Sequence, residues 1–220
     1  LTDDLSNMFL NASALTGSTL SDWNVSGVKK LVGTFRGATA FNGDISGWNT
    51  GQVTAMNSMF RGATSFDRDV SGWDVDQVTS TSSMFRDATA FHRSLAGWTI
   101  TSLTDASLMF SGASMNRTNY DATLQSWAGQ TVKPAVEFDA GTSKYTTGAP
   151  AAARAVLVDT YDWTITDSGE TAVPGAPPGV GGTRADRGAT VTWSASTPNN
   201  SAVIDYTVRA TAGGGATIPA

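Results

Sequence analysis

The chain has 220 residues, 15% of them charged, with a net charge of −5, seven Trp and no Cys. The lack of Cys excludes a disulfide framework and a thiolate metal site. The acidic balance, without a basic stripe, argues against nucleic acid, and no apolar run reaches the roughly 20 residues that a membrane helix needs. In chain order, Leu1 lies inside a repeat and reads as a cut or processed end, and LSNMFLNASAL at 5–15 is the end of one copy. Fuller copies follow at 20–41, 45–66 (ISGWNTGQVTAMNSMFRGATSF), 70–91 and 95–113. Trp23, Trp48, Trp73 and Trp98 recur every 25 residues, with Phe35, Phe60, Phe85 and Phe110 twelve residues after each. A fixed period in this range predicts a solenoid, whose repeats cannot bury their apolar faces alone. Phe9 precedes Phe35 by 26 residues, which puts one extra residue in a loop near Thr16–Thr19.

Each copy carries two patterns. The first is apolar-x-x-Trp-x-apolar, as in Ile45/Trp48/Thr50 and Val70/Trp73/Val75, and its alternation predicts a short parallel strand. The second runs through Val53, Met56, Met59/Phe60 and Ala63, whose spacings of three and four predict one or two helical turns. Gly37, Gly62 and Asp87 then end or kink that helix. The Trp and Phe columns become core ladders, and the Met residues fill the core. Residues 116–168 form the expected C-terminal cap. There Leu124-x-x-Trp127 repeats the strand motif, Ala149–Asp159 reads as a helix, and Tyr161, Trp163 and Ile165 alternate as a last strand. Residues 169–180 are a Pro/Gly linker. Residues 181–220 alternate again at 189–193 and 204–210.

The apolar-x-x-Trp-x-apolar, MFxxA and AxxF blocks resemble the 25-residue repeats of BspA-like leucine-rich-repeat bacterial surface proteins. The PGAPPGV, ATVTW and IDYTVRA segments resemble the first half of a fibronectin type III domain. The resemblance implies a leucine-rich-repeat-like solenoid over 1–115 with short parallel strands and helical or irregular convex segments. It also implies a partial β-sandwich at 181–220, either truncated or completed by another chain. It further implies a secreted or cell-surface location and a non-enzymatic binding or adhesion role. The partner would be a surface protein, a glycan or another copy of the chain. A subunit of a surface filament or layer, and an accessory region of a larger secreted enzyme, are the alternatives.

Candidate binding residues fall in two columns. Arg36, Arg61 and Arg86 follow the Phe in successive copies and would stack as like charges needing solvent, acids or an anionic partner. Asn24, Asn49, Asp74 and Thr99 sit beside the Trp and point away from the core. In each case an ordinary solvated face is the competing explanation. No cofactor is expected. Calcium at Asp67, Asp69, Asp74 and Asp76 is the one alternative, without the full twelve-residue loop pattern. His92, the single His, occupies the place of Asn42 and Asp67 in other copies, and no nucleophile motif surrounds a Ser, so no enzyme is expected.

Overall fold

The computed structural model describes residues 2–17 and 19–171, and the backbone of residues 181–185 and 188–192. The chain divides into two compact units, Leu1–Glu170 and Thr171–Ala220.

The first unit is built from coils that meet in register. Asp4, Lys30, Ala55, Ser80 and Asp105 form a continuous series of parallel bridges. Beside that series, alternate backbone N–H groups point to the following coil. Met56, Ser58, Phe60 and Gly62 donate to the carbonyls of Ser80, Ser82, Met84 and Arg86 at 2.8–3.1 Å. Leu31, Gly33, Phe35 and Gly37 do the same to Ala55, Asn57, Met59 and Arg61. The intervening N–H groups close local turns: Met59 to Met56, Arg61 to Ser58, Ala63 to Phe60 and Phe66 to Ala63. Every second residue therefore bonds across coils and every other one bonds within, which leaves few backbone groups without a partner.

This pattern corrects the expected helix at 53–63. Between Asp4 and Met115 the described residues form turns and single bridges, with no α-helix and no longer strand. A left-handed backbone recurs twice in each coil, at Ser58 (φ 56°) and Gly62 (φ 70°), at Ser83 (φ 57°) and Asp87 (φ 59°), and at Leu108 (φ 54°) and Gly112 (φ 74°). An α-helix cannot run through such residues. The apolar spacing of three comes instead from turns that each close on the residue three before.

The expected strand at the Trp is also a turn. Trp48 N–H donates to Ile45 O at 3.1 Å, and Val53 N–H to Thr50 O at 2.8 Å, with the same bonds at Trp23, Trp73 and Trp98. A spacing of three between the apolar residue and Trp matches this closure.

The core is a set of aromatic columns. Phe35, Phe60 and Phe85 are 5.6 and 5.7 Å apart, with rings within 7° of parallel. A second column, Phe41, Phe66 and Phe91, runs beside it at 5.7 and 5.8 Å, and each of its rings lies 3.9 Å from its partner in the first. Trp48, Trp73 and Trp98 are buried, and Thr50 is a buried polar residue whose hydroxyl donates to Asp74 O at 2.8 Å.

After the last coil the chain changes form. Helix α1 (Arg117–Ala128) starts at Asn116, whose side chain accepts from Asn119 N–H. Leu124 and Trp127, expected in a strand, are on this helix and are buried. Strand β1 (Glu137–Asp139) continues the bridge series, because Ala106 bridges Phe138 in parallel, and β3 (Thr164–Thr166) pairs parallel with β1. Between them lie β2 (Tyr145–Thr146), α2 (Ala149–Ala155) and a π-helical turn, Val156–Thr160. The helix expected over 149–159 thus widens after Ala155, and the last strand begins at Thr164, after the left-handed Asp162 (φ 59°). Strand β4 (Glu170–Thr171) spans the boundary between the units.

In the second unit β5 (Gly181–Ala185) and β6 (Gly188–Thr192) form an antiparallel hairpin. The alternation at 189–192 lies in β6. Trp193, residues 204–210 and most of the 169–180 linker fall outside the described residues.

Candidate binding surface

The Trp residues hold one coil to the one before. Trp48 Nε1–H donates to Leu20 O, Trp73 Nε1–H to Ile45 O and Trp98 Nε1–H to Val70 O, at 2.9–3.1 Å. Each bond joins the indole of one coil to the apolar residue that opens the preceding turn. Trp127 reaches Leu95 O from helix α1 at 3.2 Å, so the helix keeps the Trp column while replacing the coil. Trp23 is the exception: it is 38% exposed, lies 5.5 Å from Phe9, and its indole N–H has no hydrogen bond among the described residues. The Trp column is thus interior apart from this first member, and its polar atoms are engaged in structure.

The Arg column lies on the rim of the stack. Gly37 N–H donates to Arg61 O and Gly62 N–H to Arg86 O, so the three Arg occupy successive rungs next to the left-handed residues. Arg36 is exposed, while Arg61 and Arg86 are half-buried. Arg86 Nε is 3.6 Å from the Asp87 carboxylate, too far for a hydrogen bond. Among the described residues no ion pair involves Arg36 or Arg61. Rungs are about 5 Å apart, where like charges in water repel by about 0.8 kcal/mol.

Asn24, Asn49, Asp74 and Thr99 are exposed, as their position beside the Trp predicts. Three of them also build their own turns. Asn24 Oδ1 accepts from Ser26 N–H and Oγ–H, Asn49 Oδ1 from Gly51 N–H, and Asp74 Oδ1 from Asp76 N–H. Each of these side-chain oxygens already accepts a hydrogen bond within its own turn.

The carboxylates proposed for calcium are similarly engaged. Asp67 pairs with Arg93 at 3.0 Å and accepts from His92 N–H, and Asp69 accepts from Ser71 N–H. Hydrogen bonds from Ser71 hold the Asp69 carboxyl below the usual range, and those from Ser46 do the same for Asp44. Among the described residues no group of three or more His, Asp or Glu is arranged to hold a metal. His92 belongs to the coil ladder: its Nδ1 is 2.8 Å from Ser114 O.

Two further clusters stand out, one beside the repeats' loop and one in the cap. A cleft of about 490 Å³ opens beside Gly17, Asn42, Gly43, Asp44 and Arg68. A Cβ on Gly43 would lie 2.4 Å from Gly17 O. Arg68 Nε–H donates to Asn42 O and Ser46 Oγ–H to Asp44, so both charges in the cleft already have partners. In the cap, Tyr120 Oη–H and Arg154 Nε–H both donate to Asp167, at 2.8 and 2.7 Å, and Arg154 lies 5.4 Å from the Tyr145 ring centre. Burial first, then the adjacent Asp167 carboxylate, drives the Tyr120 pKa far above its ordinary value of 10.0. The cleft bonds recur one coil on, where Arg93 Nε–H donates to Asp67 O and Ser71 N–H to Asp69, whereas the cap cluster could not be read from spacing, since it joins residues from segments that do not repeat.

The chain belongs to the family described as "Mycoplasma protein of unknown function, DUF285", which it matches over residues 3–127. That span takes in the coils and ends at Trp127 on α1. The comparisons with curated proteins and with solved structures find no match. No helix among the described residues is long and apolar enough to cross a membrane.

Proposed function

We propose that the chain is a non-enzymatic, extracellular binding or adhesion module of a bacterial cell-surface protein, and that its coils are a leucine-rich-repeat-like solenoid of the BspA-like kind. The observation that carries this reading is the Arg column. Arg36, Arg61 and Arg86 stand on successive rungs of a chain with a net charge of −5, and Arg36 and Arg61 have no carboxylate partner among the described residues. Three cations at a regular rise suit an anionic surface glycan or an acidic protein segment. A stack of coils extends such a surface over a length that a single loop could not.

The test is an array of glycans and matrix proteins probed with the wild-type chain and with Arg61→Glu. Arg61→Glu keeps the melting midpoint within about 2 °C, because the side chain lies on the rim, and weakens binding to anionic ligands about tenfold or more. Equal binding by both proteins would remove the Arg column from the proposal. Unfolding of Arg61→Glu would make the column a structural network. A subunit of a surface filament is the second reading. It draws on the exposed Trp23 and Met8 at one end of the stack. An accessory role beside a catalytic domain remains the third.

A further inference from the structure

Asn42-Gly43 is the only Asn-Gly pair in the sequence. Such a pair is chemically labile, because Gly has no side chain to hinder its backbone nitrogen from reaching the Asn side chain. Here the pair lines the cleft beside Asp44 and Arg68. A Cβ at residue 43 would lie 2.4 Å from Gly17 O, so the loop admits only Gly there and the labile pair comes with the packing. Asn42 is half-buried and is held through its side-chain oxygen, which accepts from Asp67 N–H. Among the described residues neither Asn42 Nδ2 nor Gly43 N–H donates a hydrogen bond.

The next coil shows what an acid does in the same place. Asn42 Oδ1 accepts from Asp67 N–H at 3.2 Å, and Asp67 Oδ1 accepts from His92 N–H at 3.3 Å, so the two side chains sit alike in successive coils. Arg68 stands to Asn42 as Arg93 stands to Asp67: each donates Nε–H to the backbone carbonyl of the earlier residue, at 2.8 and 3.2 Å. Arg93 also reaches the side chain, with Nε–H to Asp67 Oδ1 and an NH2 group to Oδ2, both at 3.0 Å. Arg68 makes no ion pair among the described residues. An amide at residue 42 offers the guanidinium a second donor where a carboxylate offers a second acceptor.

We propose that Asn42 is a site of spontaneous deamidation, and that the aspartate it becomes makes with Arg68 the pair that Asp67 makes with Arg93. The Gly43 nitrogen gives its proton to solvent and attacks Asn42 Cγ. The new N–C bond closes a succinimide as the Cγ–Nδ2 bond breaks, and ammonia leaves with a proton taken from water. Water then opens the ring. Addition at Cγ restores the ordinary backbone with an aspartate side chain, and addition at the Asn42 backbone carbonyl gives isoaspartate, with one more carbon in the chain. The net change is one water taken up and one ammonia released, without oxidant or reductant. The aspartate product keeps the backbone length that holds Asn42 N–H on Thr16 O, and it sets a carboxylate against the guanidinium where a neutral amide stood. Ageing at this coil therefore adds an inter-coil contact.

The test incubates the folded full chain at neutral pH and maps the tryptic peptide that lies between Arg36 and Arg61 by mass spectrometry. That peptide also contains Asn49 and Asn57, which serve as internal controls. Asn42 converts to the acid, with aspartate among the products, while Asn49 and Asn57 keep their amides. The same peptide incubated free of the fold sets the clock. Separately, Asn42→Asp raises the melting midpoint of the first unit by about 1–3 °C at low salt. The gain shrinks with added salt and is absent when Arg68→Met is introduced as well. An Asn42 amide that survives after the free peptide has converted would overturn the proposal. So would isoaspartate as the sole product, or an Asn42→Asp effect that is the same with and without Arg68.

Discussion

Trp73 joins two functions in one side chain. It is 2% exposed, stacks on Trp48 at 6.4 Å and donates to Ile45 O at 3.1 Å. Trp73→Ala should therefore lower stability by about 3–5 kcal/mol, chiefly through the cavity and in smaller part through loss of one of the two N–H groups that Ile45 O accepts. Trp73→Phe separates the two effects, since it keeps most of the packing and removes the donor. Trp23→Ala should cost much less, because that ring is partly in solvent and makes no hydrogen bond among the described residues. Urea denaturation of the three variants checks this ordering. Equal losses at Trp73 and Trp23 would contradict the difference in burial.

The coil is a sequence of tight turns held open to its neighbours at every second residue. Its tolerance of substitution follows from backbone sign and clearance. Gly141, where the cap receives the last coil, has φ 62°, and a Cβ there would meet Ala113 O at 2.1 Å and Phe110 O at 2.3 Å. Gly141→Ala should destabilise by about 3 kcal/mol or more, as both strain and backbone contact oppose it. Gly72→Ala, with nothing within 4 Å of the added carbon, should be neutral or stabilise by up to about 1 kcal/mol. A shift in urea midpoint of the same size for both would show that the cap can yield at Ala113 and Phe110. The same geometry explains why a helix is the natural expectation from spacing alone. Apolar residues three apart fit one face of a helix and also fit successive three-residue turns. Ser58, Ser83 and Leu108 in left-handed conformations decide for turns, and their residue types carry no signal of it.

Over the whole molecule, pH dependence has an acid and an alkaline limit. Asp4, Asp44 and Asp69 are held below their ordinary value of 3.8 by hydrogen bonds from Ser6, Ser46 and Ser71. Their contribution is present above the unfolded value and is lost as pH falls through the folded one. Tyr120 is the reverse case, an acid whose folded pKa is raised. Its contribution is full below pH about 10 and is lost as pH rises above it. Tyr120 should remain un-ionised at 295 nm in the folded chain until alkaline unfolding, and Tyr120→Phe should remove that part of the alkaline loss. Ionisation of Tyr120 near pH 10 without unfolding would contradict its burial against Asp167. Arg154→Met should cost about 3–5 kcal/mol at neutral pH, because it leaves the Asp167 carboxylate, 4% exposed, without its cation.

The 25-residue interval of Trp and Phe was sufficient by itself to determine which residues stack, because equal coil lengths return the same side chain to the same place. It also separated the interior columns from the exposed Asn24, Asn49 and Asp74, since side-chain polarity selects solvent or core locally. The second Phe column was present in the same repeats at Phe41, Phe66 and Phe91, six residues after the first. Tertiary structure decided the rest. The partners of the Trp48, Trp73 and Trp98 indole N–H groups lie in another coil, and the choice between turn and helix depended on which backbone groups the next coil would take. Trp127 kept its place in the column while its segment became a helix, because α1 supplies side-chain donors and acceptors where a coil would supply backbone. The Tyr120–Asp167–Arg154 cluster likewise needed the cap to bring together segments with no shared period. Local spacing sets which side chains are interior; hydrogen-bond partners are set by neighbours that only the folded stack brings within reach.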